Sequence, residues 1–368
     1  MTIQRIYHKD LLNFLDSEAY KNSNYLPISQ HRGVSHAHNP RAKPNDLVLV
    51  LVHDEGEMVG YLGVFPDDLH FPKGDGTYEI AHGGWLSCMW VNPLVRGKGI
   101  AKKLINTVFE AWDYRILVTE FTPAAKGLYD RTGQFVDLLK PVGLRGYRRL
   151  NLAYLLPSKN ADKWARWRGP LSFVDACFNI FNSLRLALLP QKKPIFRYVA
   201  EVDEEAMQLI EKYRSPEELL RRDADDLRWM VRYPWLLSGI ADESSSRYHF
   251  SSYARRFHFL NIKIYDKEED LIGFVILSVR DNNLKVPYAY FAAAEVATVA
   301  VVIEQHLKMM KLDMLTVFHP LLVDYWQKNK GPFFMRRPLQ RHYIISKAFG
   351  AVDGEVFVQD GDADAAFT

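Results

Sequence analysis

At 368 residues the chain exceeds what one hydrophobic core usually fills, so two domains are expected. Apolar content of 48% with 25% charged residues is that of a globular protein, and 47 bases against 44 acids, a formal net charge of +3, exclude a dedicated nucleic-acid binder. Two cysteines, Cys88 and Cys177, exclude a disulfide scaffold; both lie in apolar segments and read as small buried hydrophobes.

In chain order, Leu11, Leu12, Phe14 and Leu15 predict a first helix over residues 9–19, and residues 24–45, rich in Pro, His, Asn and Gly, read as a loop. Residues 47–53 and 58–65 are apolar runs on either side of Asp54-Glu55-Gly56-Glu57, a hairpin signal. Trp85, Leu86, Cys88, Met89, Trp90 and Val91 form a buried-strand pattern, and Pro93 stops it by removing a backbone donor. Ile100, Leu104, Val108 and Trp112 then recur at i, i+4 with Ile105 and Phe109 beside them, giving one apolar helix face. Residues 115–120 read as the next strand, and Ala125, Leu128 and Tyr129 belong to a short helix ended by Gly133. Alternating basic and apolar residues over 145–155 offer one more strand.

The junction at residues 91–101 carries the chemistry. The first N–H groups of a helix lack intrahelical partners and the macrodipole is positive there, so an anion is stabilised. Gly97 and Gly99 let the backbone approach it, and Arg96 and Lys98 add charge. The spacing is neither the P-loop nor the Gly-x-Gly-x-x-Gly fingerprint. Arg96-x-x-Gly99-x-Ala101, led in by Val91-x-Pro93, resembles the acyl-CoA pyrophosphate motif of the GNAT superfamily of N-acyltransferases. Ala125-x-x-x-Tyr129 with Gly133 and Phe135 resembles that family's second block, with two departures: Thr122 stands where Asn is usual, and Gly-Gln-Phe where Gly-Phe is usual.

The resemblance implies a mixed α/β (α+β) fold of two tandem GNAT-like domains, each a mostly antiparallel sheet flanked by helices. The expected units are residues 1–155 with the acyl-CoA site, a helical connector 156–195, and a degenerate copy 196–368. The second copy is read from an echo. Ile262-x-Ile264 to Val275 repeats the hairpin pattern of residues 50–62, and Thr316–Pro320 matches residues 119–123, but Phe291-Ala-Ala-Ala-Glu295 replaces the glycine loop. The connector, with Trp164, Trp167, Phe178, Phe181 and Leu184 among Lys163, Arg166, Arg168, Lys192 and Lys193, is expected to pack between domains; a membrane-surface helix is the other reading.

The implied reaction is attack of a primary amine on the thioester of acetyl-CoA. By the resemblance, main-chain groups of Met89, Trp90 and Val91 hold the pantetheine; Arg96, Gly97, Lys98, Gly99, Ile100, Ala101 and Thr122 hold the CoA; and Tyr129 protonates the leaving thiolate. Glu120, Glu79 and His82 are candidate bases, each with a solvated surface role as its alternative. Asp75 reads as turn chemistry. His36 and His38 lack further ligands at metal spacing and read as a mobile loop facing substrate, so no metal is expected. The stretch from Arg221 to Trp235 reads as helix core before a Pro turn, and the acidic tail 360–368 lacks an EF-hand's glutamate. The expected partner is a small-molecule amine or a peptide, with no nucleic acid. Residues 1–10 lack a secretory core and no apolar run reaches the ~20 residues of a spanning helix, so a cytoplasmic enzyme is expected. A Fem-type aminoacyl transferase, which has no use for the Arg96 loop, and a non-catalytic CoA-binding protein are the alternatives.

Overall fold

The computed structural model describes residues 1–73, 75–188, 193–240, 246–352 and 354–363. The strands are β1 (Thr2–Tyr7), β2 (Leu47–Asp54), β3 (Glu57–Pro72), β4 (Tyr78–Val91), β5 (Ile116–Val118), β6 (Phe135–Leu139), β7 (Val142–Tyr147), β8 (Ile195–Val199), β9 (Leu237–Ser238), β10 (Tyr253–Ala254), β11 (Phe257–Tyr265), β12 (Leu271–Arg280), β13 (Asn283–Phe291), β14 (Met314–Val317), β15 (Met335–Gln340) and β16 (Tyr343–Ser346). Two seven-stranded sheets result, in the orders β1-β2-β3-β4-β5-β16-β6 and β15-β7-β14-β13-β12-β11-β8. In each, an antiparallel meander ends on one parallel neighbour, β4 with β5 and β13 with β14. The expected tandem of mixed, mostly antiparallel sheets flanked by helices is the architecture found, and both sequence hairpins stand, as β2–β3 and β11–β12.

The halves exchange strands. β16, from the end of the chain, pairs with both β5 and β6, while β7 pairs with both β14 and β15. The strand anticipated over 145–155 is therefore β7, shifted toward the N-terminus and built into the second sheet; the chain turns helical at Leu152–Lys159. A cut at residue 155 leaves β5 and β6 without the strand between them.

Three of the apolar cores follow from this layout. Helix Ile100–Ala111 closes one against the first sheet with Ile100, Leu104, Ile105, Val108 and Phe109. Helix Val296–Met309 does the same for the second sheet with Val299, Val302, Ile303 and Leu307. The third lies between the sheets, where Phe65, Trp85 and Tyr343 meet Phe274, Tyr288 and Tyr290. At its margin sits a buried ionic network: Arg222 donates bidentately to Asp67 at 2.8 and 2.7 Å, and Arg41 bridges Asp67 (3.1 Å) and Asp226 (2.9 Å). Burial raises the Asp226 pKa against the pull of Arg222 and Arg41.

Several local expectations change. Residues 24–45 contain the helix Gln30–Ala37, whose tertiary contacts outweigh its weak propensity. A Cβ on Gly33 would come within 2.6 Å of Leu15, so this glycine permits close packing rather than a turn. His36 is buried against Phe65 and Trp235, and burial holds its pKa well below the usual histidine value; His38 stacks on Tyr233 at 4.5 Å. His36 is thus turned into the core, and His38, although exposed, caps the end of this helix instead of lying on a mobile loop. The first helix is broken at Ser17, which caps a second short turn. Cys177 is exposed, and half-buried Cys88 has polar neighbours. Residues 224–232 are helical with Leu227, Trp229 and Met230 inside, as expected. Asp75 accepts from the Thr77 amide in the predicted turn. Of the tail, 360–363 is buried, and 364–368 lies outside the described residues. Among the described residues no cluster of three metal-binding side chains occurs.

The connector reverses the expectation most clearly. In helix Arg168–Ala187 the polar residues face the protein: Asp175 accepts from the amides of Leu152 and Ala153 at 2.9 Å each, and Asn182 donates to the Arg148 carbonyl at 2.7 Å. The apolar face points to solvent. Lys192 lies outside the described residues.

Candidate active site

β4 delivers its C-terminal end to the glycine loop. Asn92 caps a turn over Pro93–Val95 through its side chain, which accepts from the Leu94 amide at 3.0 Å. Gly97 and Gly99 both adopt left-handed backbone, φ 87° and 75°, which an L side chain resists. A Cβ at either would meet no atom within 4 Å, so their conformation alone demands glycine, and the surface above the loop is open. Gly99 is the N-cap of helix Ile100–Ala111, and the Lys103 amide donates to its carbonyl at 3.0 Å. The amides of Ile100, Ala101 and Lys102 precede that bond and form the anion-attracting helix end. Arg96 and Lys98 are exposed beside it, Lys98 lying 3.7 Å from Asp54. Gly60 on β3 lets the helix end sit close, since a Cβ there would come within 2.9 Å of Ile100.

The neighbouring strands open at the same end. β4 and β5 pair only at Gly84–Ile116 and Trp85–Leu117; β5 ends at Val118 while β4 runs on to Val91. Met89, Trp90 and Val91 thus keep one edge toward β3, through Tyr61–Trp90 and Gly60–Val91, and have no ladder partner in β5. A bulge falls just before them: Cys88 has φ 48°, and the register with β3 slips between Tyr61 and Gly63. Buried Arg32 braces this bulge. Its guanidinium donates to Cys88 Sγ at 2.7 Å, to Tyr248 Oη at 3.2 Å and to Ser87 Oγ, and lies over the Trp235 ring at 3.8 Å. Trp90 stacks with His249 (4.5 Å) and Tyr61 (5.5 Å), and Tyr25 lies tilted against it at 4.8 Å. Burial lowers the His249 pKa, leaving a neutral imidazole at neutral pH. Arg32, Tyr25, Tyr248 and His249 were invisible as site residues in the sequence, because nothing local announces contacts from over 50 to over 200 residues away.

The side chains nominated from sequence are not all gathered here. Thr122 caps helix Pro123–Thr132, accepting from the Ala125 amide at 3.2 Å. Tyr129 is 4% exposed, its ring between Phe121 and Phe135 in the same core as Ile100 and Val118. Glu120 lies just beyond β5 and pairs with Arg341 at 2.7 Å. Glu79 sits ten residues before Met89 on one strand, roughly 30 Å away, and pairs with exposed Lys73. It cannot share a site with the bulge. His82 is held between Asp68 (2.7 Å) and Asp46 (2.9 Å); burial pulls its pKa down but these hydrogen bonds prevail and raise it to about 9. A group protonated at neutral pH is a poor base.

The second half repeats the geometry without the loop. β13 runs through Ala293–Glu295 directly into Val296–Met309, with Glu295 at the helix entrance. An acidic side chain and no left-handed glycine make this junction unsuited to a pyrophosphate. Where the first half has Thr122, the second has His319 as helix N-cap, half-buried against Phe291 and Phe357 with its pKa lowered by desolvation to about 4.

Comparison with known proteins agrees with this geometry. Residues 44–133 match the GNAT acetyltransferase domain model. Among solved structures, a GCN5-related N-acetyltransferase from Anabaena variabilis ATCC 29413 is similar over 94% of this chain and 72% of its own, with TM-score 0.51 and 11% identity. Saccharomyces cerevisiae N-myristoyltransferase with bound myristoyl-CoA and inhibitors is similar over 100% of this chain and 84% of its own, with TM-score 0.51 and 12% identity. A conserved protein from Enterococcus faecalis V583 described as a probable N-acyltransferase is similar over 94% and 72%, with TM-score 0.51 and 9% identity. At these identities the likeness is one of fold. No curated protein matches.

Proposed function

We propose that this chain, with its GNAT domain at residues 44–133 inside a tandem GNAT-like fold, is an N-acyltransferase that moves an acetyl group from acetyl-CoA to a primary amine. The observation that carries the reading is the junction itself: two left-handed glycines, an open helix N-terminus and two exposed bases, set at the end of a strand whose outer edge is free of β5. The pyrophosphate would lie on Gly97–Ala101 with Arg96 and Lys98, and the pantetheine would add to the edge of Met89–Val91 as a short strand. The thioester then falls at the Cys88 bulge. Backbone amides in that unpaired stretch stabilise the oxyanion, and Tyr129 serves the leaving thiolate. Tyr61, Trp90, Tyr248 and Phe250 fill the space behind the bulge, which supports a short acyl group over a long one. His249, neutral and stacked on Trp90, is a proton acceptor on this wall, contributed by the second half of the sequence. Replacing Glu79 and His82 as the candidate base, it makes the second half part of the acceptor cleft.

The test is binding. Gly99→Val forces a branched side chain into φ near 75°, and Arg96→Glu reverses the local charge. Each should weaken acetyl-CoA binding while leaving the near-UV circular dichroism unchanged. Unaltered binding by the combined variant would remove the proposed site.

A further inference from the structure

The helix Arg168–Ala187 carries a contiguous apolar face that the fold leaves uncovered. Phe173, Val174, Cys177, Ile180, Phe181, Leu184, Ala187 and Leu188 are all exposed, Phe181 at 71% and Leu188 at 87%. At about 100° per residue they occupy one arc of roughly 140° along a helix about 30 Å long. Its opposite face is anchored: Asp175 caps Leu152–Lys159, Asn179 exchanges hydrogen bonds of 2.9 and 2.8 Å with Leu150, and Phe178 packs on Phe334 at 4.7 Å. The orientation is thus fixed by polar contacts, with the apolar stripe outward.

Charge says what covers it. Residues 159–193 contain seven bases and two acids, more positive charge than the whole chain's net +3, so the remainder is net acidic. Of the two acids, Asp175 is buried by its capping role. Lys163, Arg166 and Arg168 are exposed beside the helix start with Trp167, which is 48% exposed, and Lys193 is exposed beyond its end. Nothing charged interrupts the stripe itself. No helix among the described residues is long and apolar enough to cross a membrane. We infer that this helix lies in the interface of an anionic lipid bilayer, apolar face down, with the flanking bases on lipid headgroups. A protein partner or a second copy would bury the stripe equally well but gives no reason for a local basic excess at both ends.

The inference is independent of acyl-CoA binding and is tested without it. The full chain is sedimented with phosphatidylcholine vesicles, with and without phosphatidylglycerol, at low and high salt. Wild type should pellet with the anionic vesicles and be released in part by salt. Ile180→Glu with Phe181→Glu, and separately Arg166→Glu with Arg168→Glu, should each lower the apparent partition by about tenfold or more. All these side chains are exposed, so the variants should keep wild-type near-UV circular dichroism. A chain that stays in the supernatant with both vesicle types overturns the inference, as does pelleting unaffected by the variants. A lipid-free dimer in sedimentation equilibrium that the Ile180/Phe181 variant dissociates would show that a second copy covers the stripe instead.

Discussion

Replacing Asp67 by alanine should cost more than any surface change, because of what it leaves behind. Asp67 is fully buried on β3, accepts both Nη atoms of Arg222 and one of Arg41, and also takes the Asp68 amide at 3.0 Å. Without it, Arg222 keeps its charge, since a guanidinium stays protonated at neutral pH even when buried, and Asp226 and Asp362 still favour the charged form. Its remaining acid is Asp362 at 3.5 Å, with Arg41 turned to Asp226. Removing one partner of such a pair costs about 3–5 kcal/mol, against a typical total of about 5–15. Urea unfolding measures it: with a slope near ~3 kcal/mol/M the midpoint should fall by about 1–1.7 M at unchanged slope. Asp67→Ala combined with Arg222→Met removes both charges and should recover at least about 1 kcal/mol relative to the sum of the single effects. A single variant within about 0.5 kcal/mol of wild type, or strict additivity in the pair, would refute the claim that this contact joins the halves.

A fragment of residues 1–155 lacks β16, so β5 and β6 lose their shared partner, and it should show no cooperative unfolding transition where the full chain shows one. Stability should peak near pH 6–7. His82, raised to about 9 in the fold, stabilises fully below its ordinary 6.5 and loses that as pH rises through 9. Glu218, raised by burial and by Asp362 from its ordinary 4.5 to about 8, begins to lose its contribution as pH passes 4.5 and has lost it once pH exceeds 8, so Glu218→Gln should flatten the decline up to that point. On the acid side, His70 and His319, both lowered to about 4 with burial as the leading cause, lose their contribution as pH falls from 6.5. Thermal midpoints across pH check both limbs; a midpoint still rising at pH 9 would contradict them. Tyr129→Phe keeps the ring packing and should lower turnover by about 10²-fold with CoA affinity unchanged, read by thiol release; equal turnover would take Tyr129 out of the chemistry.

Local signals carried much of this fold. The i, i+4 run from Ile100, the glycines before it and the Pro93 stop are short-range, and the helix begins at Ile100 with Gly99 as its cap. The second hairpin and the helix after β14 were likewise legible by repetition. What escaped depends on pairing across the chain. Nothing within residues 343–346 says that they belong in the first sheet, nor within 142–147 that they belong in the second. Helix Gln30–Ala37 is a tertiary product, its Arg32 tied to Ser87 and Cys88. The connector's amphipathicity was readable, but the direction of its apolar face was set by Asp175 and Asn182 meeting backbone of Arg148, Leu152 and Ala153. For the candidate site, the loop could be read and its wall could not, because Tyr25, Arg32, Tyr248 and His249 converge only in three dimensions.

The central claim rests on the loop at Gly97–Ala101, and calorimetric titration of the purified chain with acetyl-CoA, CoA and dephospho-CoA addresses it directly. Micromolar binding of acetyl-CoA and CoA is expected, on the order of −8 kcal/mol, and the Gly99→Val variant should lose it while its fold survives. Absence of binding by the wild-type chain, or equal binding by the variant, would contradict it.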